Sequence, residues 1–294
     1  MPDGSLTSPT KDDFFHHRLA AFNARRFAPG LPHAEWEAEL ERQCAVLVEE
    51  GSWLEEFRTR VAPRAADAPR DPAGFVAWFE ELDRTGPGQG DPLFPWLAEQ
   101  ATMDEMRWFL TQEVAGEAGF EDLTAVTQVR LPQRAKLELA RNYWDEMGRG
   151  NPKGMHGPML DTLARALKLE PKVETTVWES LALANTMAGL ACTRRYAFHS
   201  VGAMGVIEQT APGRSAMVAR GLKRLGVKAG DRHYFDLHAV LDIKHSAAWN
   251  AEAAWPLVEA RPELAPALAE GALMRLECGA ACFRRYRKEL GVES

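Results

Sequence analysis

Apolar residues recur three and four positions apart along most of this chain. The spacing is clear in PHAEWEAELERQCAVLVEEGSWLEEFRTRV, and it returns in QRAKLELARNYWDEMGRG and in ARPELAPALAEGALMRLECGAACFRRYRKEL. A period near 3.6 is typical of helices that bury one face. Clusters of turn-forming residues at 62–74 and 84–95 separate such segments, and no run shows the alternation of a half-buried strand. The sequence therefore predicts an all-α protein.

The 294 residues could form one large domain or two small ones. Residues 1–94 lack an obvious large core of their own, so we predict an N-terminal helical extension there, packed on a main helical domain of residues 95–294. His16 and His17 lie in a polar segment of the extension and are expected to be exposed to solvent. The segment TMDEMRWFLTQEVAGEAGFEDLTAVTQV predicts one long amphipathic helix at the start of the main domain.

The net charge and the distribution of apolar residues argue against two kinds of partner, nucleic acids and membranes. The net charge of −7 argues against a nucleic-acid surface, which needs clustered basic residues. No apolar run approaches the roughly 18 residues of a membrane span, and the N-terminal MPDGSLTSPTKDDFFHH lacks the apolar run of a signal peptide. The four cysteines show no CxxC pairing, as expected for reduced cysteines in the cytoplasm.

One segment, HYFDLHAVLDIKHSAAW, places polar groups where a core is expected. At about 100° per residue, His238 and Asp242 lie about 40° apart on a helix, and His245 falls within about 20° of His238. Leu241 and Trp249 flank this stripe. Buried imidazole and carboxylate groups need partners, and mixed nitrogen and oxygen donors suit iron or manganese. We therefore expect these three side chains to bind metal.

One helix supplies only one side of a coordination sphere, so further ligands should come from other helices. Glu208 is an isolated acid in the apolar FHSVGAMGVIEQTAP, and Glu146 ends RNYWDE ten residues before His156, which follows the break GRGNPKG. Glu113 lies four residues after Phe109 and should face inward with it, while Glu117, one turn later, is the alternative.

The order of these residues, with the phrases ELARNYWDEMGRG and HYFDLHAVLDIKHSAAW, resembles the haem-oxygenase-like diiron oxidases and oxygenases, an iron-containing redox enzyme family. The resemblance covers roughly residues 95 to 290. It implies a haem-oxygenase-like seven-helix bundle that binds two iron ions. Carried over residue by residue, it implies seven ligands in this chain, namely Glu113, Glu146, His156, Glu208, His238, Asp242 and His245.

The resemblance further implies an O2-dependent oxidoreductase that acts on a small amine- or amino-acid-like metabolite in a specialised biosynthetic pathway, by N-oxygenation or oxidative C–C cleavage. No flavin or nicotinamide fingerprint is visible, so electrons would come from an external donor. Two other interpretations stay open: a metal-independent enzyme of the same fold, thiaminase-like or of the type that makes quinone cofactors, and a noncatalytic helical binding module. The sequence leaves the oligomeric state open, a homodimer included.

Overall fold

The computed structural model describes residues 10–117 and 119–293, which form α-helices joined by short turns and contain no β-strand. This confirms the predicted all-α class. The helices within these ranges are α1 Lys11–Phe27, α2 Trp36–Ala65, α3 Pro72–Thr85, α4 Leu93–Glu99, α5 Met103–Gly116, α6 Phe120–Thr127, α7 Gln133–Glu146, α8 His156–Leu167, α9 Trp178–Cys192, α10 Ala197–Arg224, α11 His233–Trp249, α12 Trp255–Ala260 and α13 Ala265–Leu290.

The two long helices α10 and α13 cross at the centre of the molecule with their backbones in close contact. A Cβ atom added to Gly202 of α10 would lie 1.9 Å from the carbonyl oxygen of Leu268. One added to Gly271 of α13 would lie 1.9 Å from the carbonyl oxygen of His199. Only glycine leaves room for this approach. This close contact fixes how α10 and α13 are positioned relative to each other along their axes. Both helices contribute many residues to the interior of the protein.

The N-terminal helices share the central core. Leu54, Phe57 and Val61 of α2 are buried in the same apolar cluster as Leu273 of α13. Beyond residue 100, seven helices have twelve or more residues. Helices α1 and α2 pack directly on α9 and α13. The division into an extension and a domain at residue 94 stays a prediction.

The expectation that His16 is exposed was wrong. Its side chain is 3% exposed, with its ring stacked on that of Trp178 and edge-on to that of Trp53. The side-chain amide of Asn185 donates a hydrogen bond to the backbone carbonyl of His16 at 3.0 Å. The polar composition of α1 concealed this contact because the aromatic partners come from α2 and α9, which are distant in sequence.

The single long helix expected at the start of the main domain is broken. Helix α5 ends at Gly116, and α6 begins at Phe120 after Gly119, which has a φ of 69°. This left-handed conformation ends a helix and is accessible to glycine at little cost. The carboxylate of Glu117 accepts hydrogen bonds from the backbone N–H groups of Gly119, at 2.9 Å, and Phe120, at 3.4 Å. The Glu117 side chain therefore satisfies backbone donors at the start of α6.

Two properties of the whole chain were also expected from composition. Across the ranges given above, no helix is both long enough and apolar enough to cross a membrane. All four cysteines have free thiols, and Cys278 and Cys282 are buried in α13. The cysteines thus contribute no covalent cross-link to the fold.

Candidate metal centre

Glu146 and His156 lie at the two ends of one tight loop. Glu146 is the last residue of α7, His156 is the first of α8, and Met147 pairs with Met155 across the base of the loop. The loop closes because Gly148, at a φ of 60°, approaches the backbone of Gly154 so closely that a Cβ would lie 2.4 Å from its carbonyl carbon. The loop thereby brings Nδ1 of His156 to 2.6 Å from Oε2 of Glu146.

His238 of α11 lies beside this pair. The imidazole rings of His238 and His156 are 4.6 Å apart, nearly perpendicular to each other. Nδ1 of His238 lies 2.7 Å from the carbonyl oxygen of Tyr234. Because a carbonyl can only accept, Nδ1 carries the proton, and Nε2 keeps a free lone pair. Such a backbone contact is how proteins commonly orient a metal-binding histidine.

His245, two turns further along α11, faces a second group of side chains. Its Nδ1 lies 3.3 Å from Oε2 of Glu208, and its Nε2 lies 3.2 Å from Oδ2 of Asp145. The amide of Asn142 donates to Oε1 of Glu208 at 2.6 Å. Asp145 and Asn142 thus hold the imidazole and the carboxylate in place, and neither was identified from the sequence. Their position on α7, one and four residues before Glu146, was the available signal.

Five of the sequence-predicted residues form two groups of potential ligands that share one carboxylate. Glu146, His156 and His238 form the first group, and Glu146, Glu208 and His245 form the second. Within each group the potential ligand atoms lie within 4.8 Å of one another. A carboxylate has two oxygens and can contact two cations at once. The geometry therefore suits a pair of metal ions with Glu146 between them.

Asp242 lies between the two histidines on α11 and is 3% exposed. Its Oδ1 is buried without a hydrogen-bond partner, as is Oδ1 of Asn142. Burial, with the charges of Glu208 and Glu146, raises the pKa of Asp242 to about 10. Burial and the charge of Glu208 also raise the pKa of Glu146 well above its usual value.

The three histidines differ in protonation. Burial lowers the pKa of His156 to about 4, helped by the charge of His245. Burial and His156 likewise lower the pKa of His238 to about 4. Burial would lower the pKa of His245 too, but the Glu208 and Asp145 carboxylates outweigh it and raise that pKa to about 9. His156 and His238 are thus neutral at pH 7, the form in which imidazole binds metal.

These residues fit divalent metal ions on two grounds. Buried polar atoms almost always have partners, so the unpartnered Oδ1 of Asp242, on the helix that carries His238 and His245, leaves a ligand atom free for a cation. In addition, neither Glu146 nor Asp242 forms an ion pair with lysine or arginine in the described part of the chain. Buried carboxylates without a cation are costly. Two carboxylates and three imidazoles make up the two groups, with Asp242 outside both, and such oxygen and nitrogen donors are those that iron or manganese accepts.

The structure does not bring Glu113 into either group. Burial raises the pKa of Glu113, and the groups that counter this effect are Tyr286, Arg275 and Arg214 rather than the histidines. Its ligand role therefore has no geometric support here. Glu113 instead lies on the cavity wall with Tyr286, Arg275 and Arg214.

Two carboxylates near the break act on the centre electrostatically. Glu117, the alternative named above, and Glu121 both raise the pKa of Glu146. Burial and Glu121 raise the pKa of Glu117 to about 7. A Cβ added to Gly157, next to His156, would lie 2.8 Å from Oε1 of Glu121. Glu121 was not identified from the sequence.

A cavity of about 170 Å³ adjoins the centre. At one part of its wall lie Glu146, Glu208, His238 and Asp242, and Tyr234 lines it beside them. Its apolar lining is drawn from several helices. It also holds a second polar region away from the histidines, formed by Glu113, Ser180, Arg214, Arg275 and Tyr286.

The sequence profile of a family described as iron-containing redox enzymes matches residues 107–280, more than half of the chain. The chain belongs to the iron-containing redox enzyme family. The matched residues of this family member include all the ligand candidates and both arginines of the cavity. No curated protein sequence matches it.

Solved structures place this iron-containing redox enzyme among haem-oxygenase-like folds, as expected from the sequence. Two crystal structures of a CADD-like protein of unknown function from Nostoc punctiforme match with a TM-score of 0.52 at 16% and 17% identity. They cover 81% and 83% of this chain and 98% of theirs. A domain of unknown function with a heme oxygenase-like fold from Shewanella denitrificans matches with a TM-score of 0.52 at 14% identity, over 74% of this chain and 90% of that one.

Proposed function

We propose that this protein is an O2-dependent non-haem diiron oxidase or oxygenase. Its substrate would be a small amine- or amino-acid-like metabolite of a specialised biosynthetic pathway, changed by N-oxygenation or oxidative C–C cleavage. The observation that carries the proposal is the sharing of Glu146 by two groups of potential ligands. The family description, which specifies iron and redox chemistry, supports the choice of metal.

In this proposal Glu146, His156 and His238 hold one iron, and Glu146, Glu208 and His245 hold the other. Asp242 completes the donor set from between the histidines, and Glu117 or Glu121 takes the first-helix position expected for Glu113. When bound, two ferrous ions would supply electrons for the reduction of O2. An external donor would restore them after each turnover.

The chain's own groups have three tasks around the metals. Asp145 and the Tyr234 carbonyl orient His245 and His238 and fix which ring nitrogen faces the centre. Asn142 holds Glu208. The buried lining of the cavity limits the access of water, which protects reactive oxygen species from wasteful protonation.

The test is a count of iron in variants loaded anaerobically with Fe(II) and desalted. We expect about two irons per chain in the wild type and about one in His238→Ala and in His245→Ala, because each loses one group. Glu146→Gln should retain less iron than either, since it weakens both groups. His233→Ala, an exposed histidine on the same helix, is the matched control and should retain two.

Exposure of the loaded protein to O2 separates the rival functions. A transient visible absorption band that depends on both irons supports the diiron proposal. Equal iron content in Glu146→Gln and the wild type would contradict it. Substrate turnover by the metal-free protein at the same rate as the loaded protein would favour the metal-independent enzyme of the same fold.

A further inference from the structure

The second polar region of the cavity carries an unusual pair of cations. Arg214 of α10 and Arg275 of α13 both line the cavity and are close enough to repel each other. Burial and this repulsion lower the pKa of Arg214 to about 10. Two guanidinium groups held together in a largely apolar interior are costly unless a negative charge lies between them.

The protein supplies little of that charge. In residues 10–117 and 119–293, neither arginine forms an ion pair with a carboxylate. Arg214 donates only to neutral oxygens, Oε1 of Gln89 at 3.3 Å and Oγ1 of Thr210 at 3.0 Å. The buried Nε of Arg275 has no hydrogen-bond partner. Each guanidinium carries five N–H donors, so most of the donors of this pair are free.

Glu113 is the acidic residue of the cavity wall that acts on both arginines. The other acids of the cavity wall, Glu117, Glu146, Glu208 and Asp242, belong to the metal-centre side. In the arginine region of the wall, two guanidinium groups therefore face one carboxylate, an excess of one positive charge even when Glu113 is ionised, and the exposed Asp83 acts on Arg214 from outside. The rings of Phe94 and Phe283, with centroids 5.9 Å and 5.5 Å from the Arg214 guanidinium, hold it in place. A fixed, forked donor with one excess charge matches a monoanionic carboxylate.

We propose that Arg214 and Arg275 bind the carboxylate of the substrate, while the rest of the molecule extends along the cavity toward Glu146 and His238. The substrate is then a carboxylic acid, such as an amino acid, whose reacting end is remote from its carboxylate. The role of this subsite in catalysis rests on the proposed function, but its affinity for carboxylates does not depend on iron.

The test is calorimetric titration of metal-free protein at pH 7 with hexanoate, its neutral counterpart hexanamide, and inorganic phosphate. We expect hexanoate to bind the wild type and to bind Arg275→Gln and Arg214→Gln roughly tenfold to a hundredfold more weakly, as for the loss of hydrogen bonds to a charged group. Arg275→Lys, which keeps the charge but loses the fork, should fall between. Arg220→Gln, on the exposed side of α10, is the matched control and should not change binding.

Stability provides a second measurement. Because Arg275→Gln removes a buried charge that no ion pair balances, the ligand-free variant should unfold at a higher temperature than the wild type, and a given concentration of hexanoate should raise the unfolding temperature of the wild type more than that of the variant. The proposal is overturned if the wild type does not bind hexanoate, if hexanamide binds equally well, if phosphate binds more tightly, or if both glutamine variants bind hexanoate as the wild type does.

The design distinguishes this proposal from the metal centre. His245→Ala, which does not line the cavity, should bind hexanoate normally while losing iron, and Arg275→Gln should retain two irons while binding hexanoate more weakly. Hexanoate binding that depends on the arginines in a protein that retains no iron would leave the subsite intact and remove only the diiron function.

Discussion

Asp242 shows how a single residue can oppose folding and favour function. Its carboxyl group is buried between two other carboxylates with one oxygen unpartnered. In the metal-free protein the group must therefore be protonated at neutral pH, whereas in the unfolded chain it is ionised above its ordinary pKa of 3.8. Metal binding removes this conflict because a cation stabilises the ionised form, so binding should release protons.

This predicts a pH dependence for Asp242→Asn. Between about pH 4 and pH 10 the folded state holds a proton on Asp242 that the unfolded state has lost, so the free energy of unfolding of the metal-free wild type should fall as pH rises. One such proton corresponds to at most about 1.4 kcal/mol per pH unit. The amide introduced by the substitution cannot ionise, so the metal-free variant should be more stable at pH 8 and less sensitive to pH.

Urea denaturation from pH 5 to pH 8.5 in the presence of a chelator measures this difference. Asp161→Asn, at an exposed position on α8, is the control and should follow the wild type. Parallel curves for Asp242→Asn and the wild type would show that Asp242 is not protonated in the folded protein. With Fe(II) present the order should reverse, because the variant lacks a metal ligand.

At the residue scale, the sequence predicted those candidate ligands that share one face of a single helix. The stripe of His238, Asp242 and His245 was visible because helical geometry alone places the three side chains together. The supporting residues Asn142 and Asp145 were not visible, since polar residues on an amphipathic helix are usually solvated. Arg214 and Arg275 were hidden for the same reason, because nothing local distinguishes a buried arginine from an exposed one.

At the scale of helices, the crossing of α10 and α13 depends on two glycines that touch the opposite backbone. Gly202→Ala would place a methyl group against the Leu268 carbonyl, which cannot move without displacing α13. We expect this change to lower the free energy of unfolding by about 3 kcal/mol, the upper part of the range for overpacking. Iron content should fall as well, because Glu208 lies on α10, whose position relative to α13 would change.

The control for this prediction is Gly213→Ala on the same helix, where an added Cβ would meet nothing within 4 Å. There the substitution should raise stability by about 0.4–1 kcal/mol through helix propensity and unfolded-state entropy. Guanidinium denaturation monitored by circular dichroism compares the two variants. Equal stability of both would mean that the helices separate easily at Gly202.

The presence of helices could be predicted from the spacing of apolar residues and the positions of turn-forming residues. The boundaries of the helices near the metal centre could not. The segment from Thr102 to Val129 has the pattern of one helix because its apolar spacing continues through Gly119. The left-handed backbone at that glycine, which the spacing does not encode, lies between α5 and α6. The assignment of Glu113 therefore could not be settled from the sequence.

At the scale of the whole molecule, the N-terminal helices are tied to the core through His16. Burial, with the charge of His17, lowers the pKa of His16 from 6.5 to about 4. Between these values the unfolded state binds more protons, so acidification from pH 6.5 to pH 4 should destabilise the protein. His156 and His238 add to the same trend.

His16→Gln should therefore reduce the slope of unfolding free energy against pH in this window by up to about 1.4 kcal/mol per pH unit. The readout is the slope, since the substitution also changes the packing on Trp53 and Trp178. His33→Gln, at an exposed position, should leave the slope unchanged. An identical slope in His16→Gln would mean that α1 detaches before the core unfolds.

Helix α10 carries both Glu208, at the metal centre, and Arg214, at the carboxylate subsite. The step from residue 208 to residue 214 is six positions with Pro212 between, which corresponds to about 9 Å along a helix axis. If the subsite binds the carboxylate of the substrate, α10 fixes the distance between that carboxylate and the metal centre. The atom that reacts is then chosen by its distance from the carboxylate rather than by its chemical identity. Longer and shorter homologues of the substrate would then be attacked at different positions counted from the functional group, but at the same distance from the carboxylate.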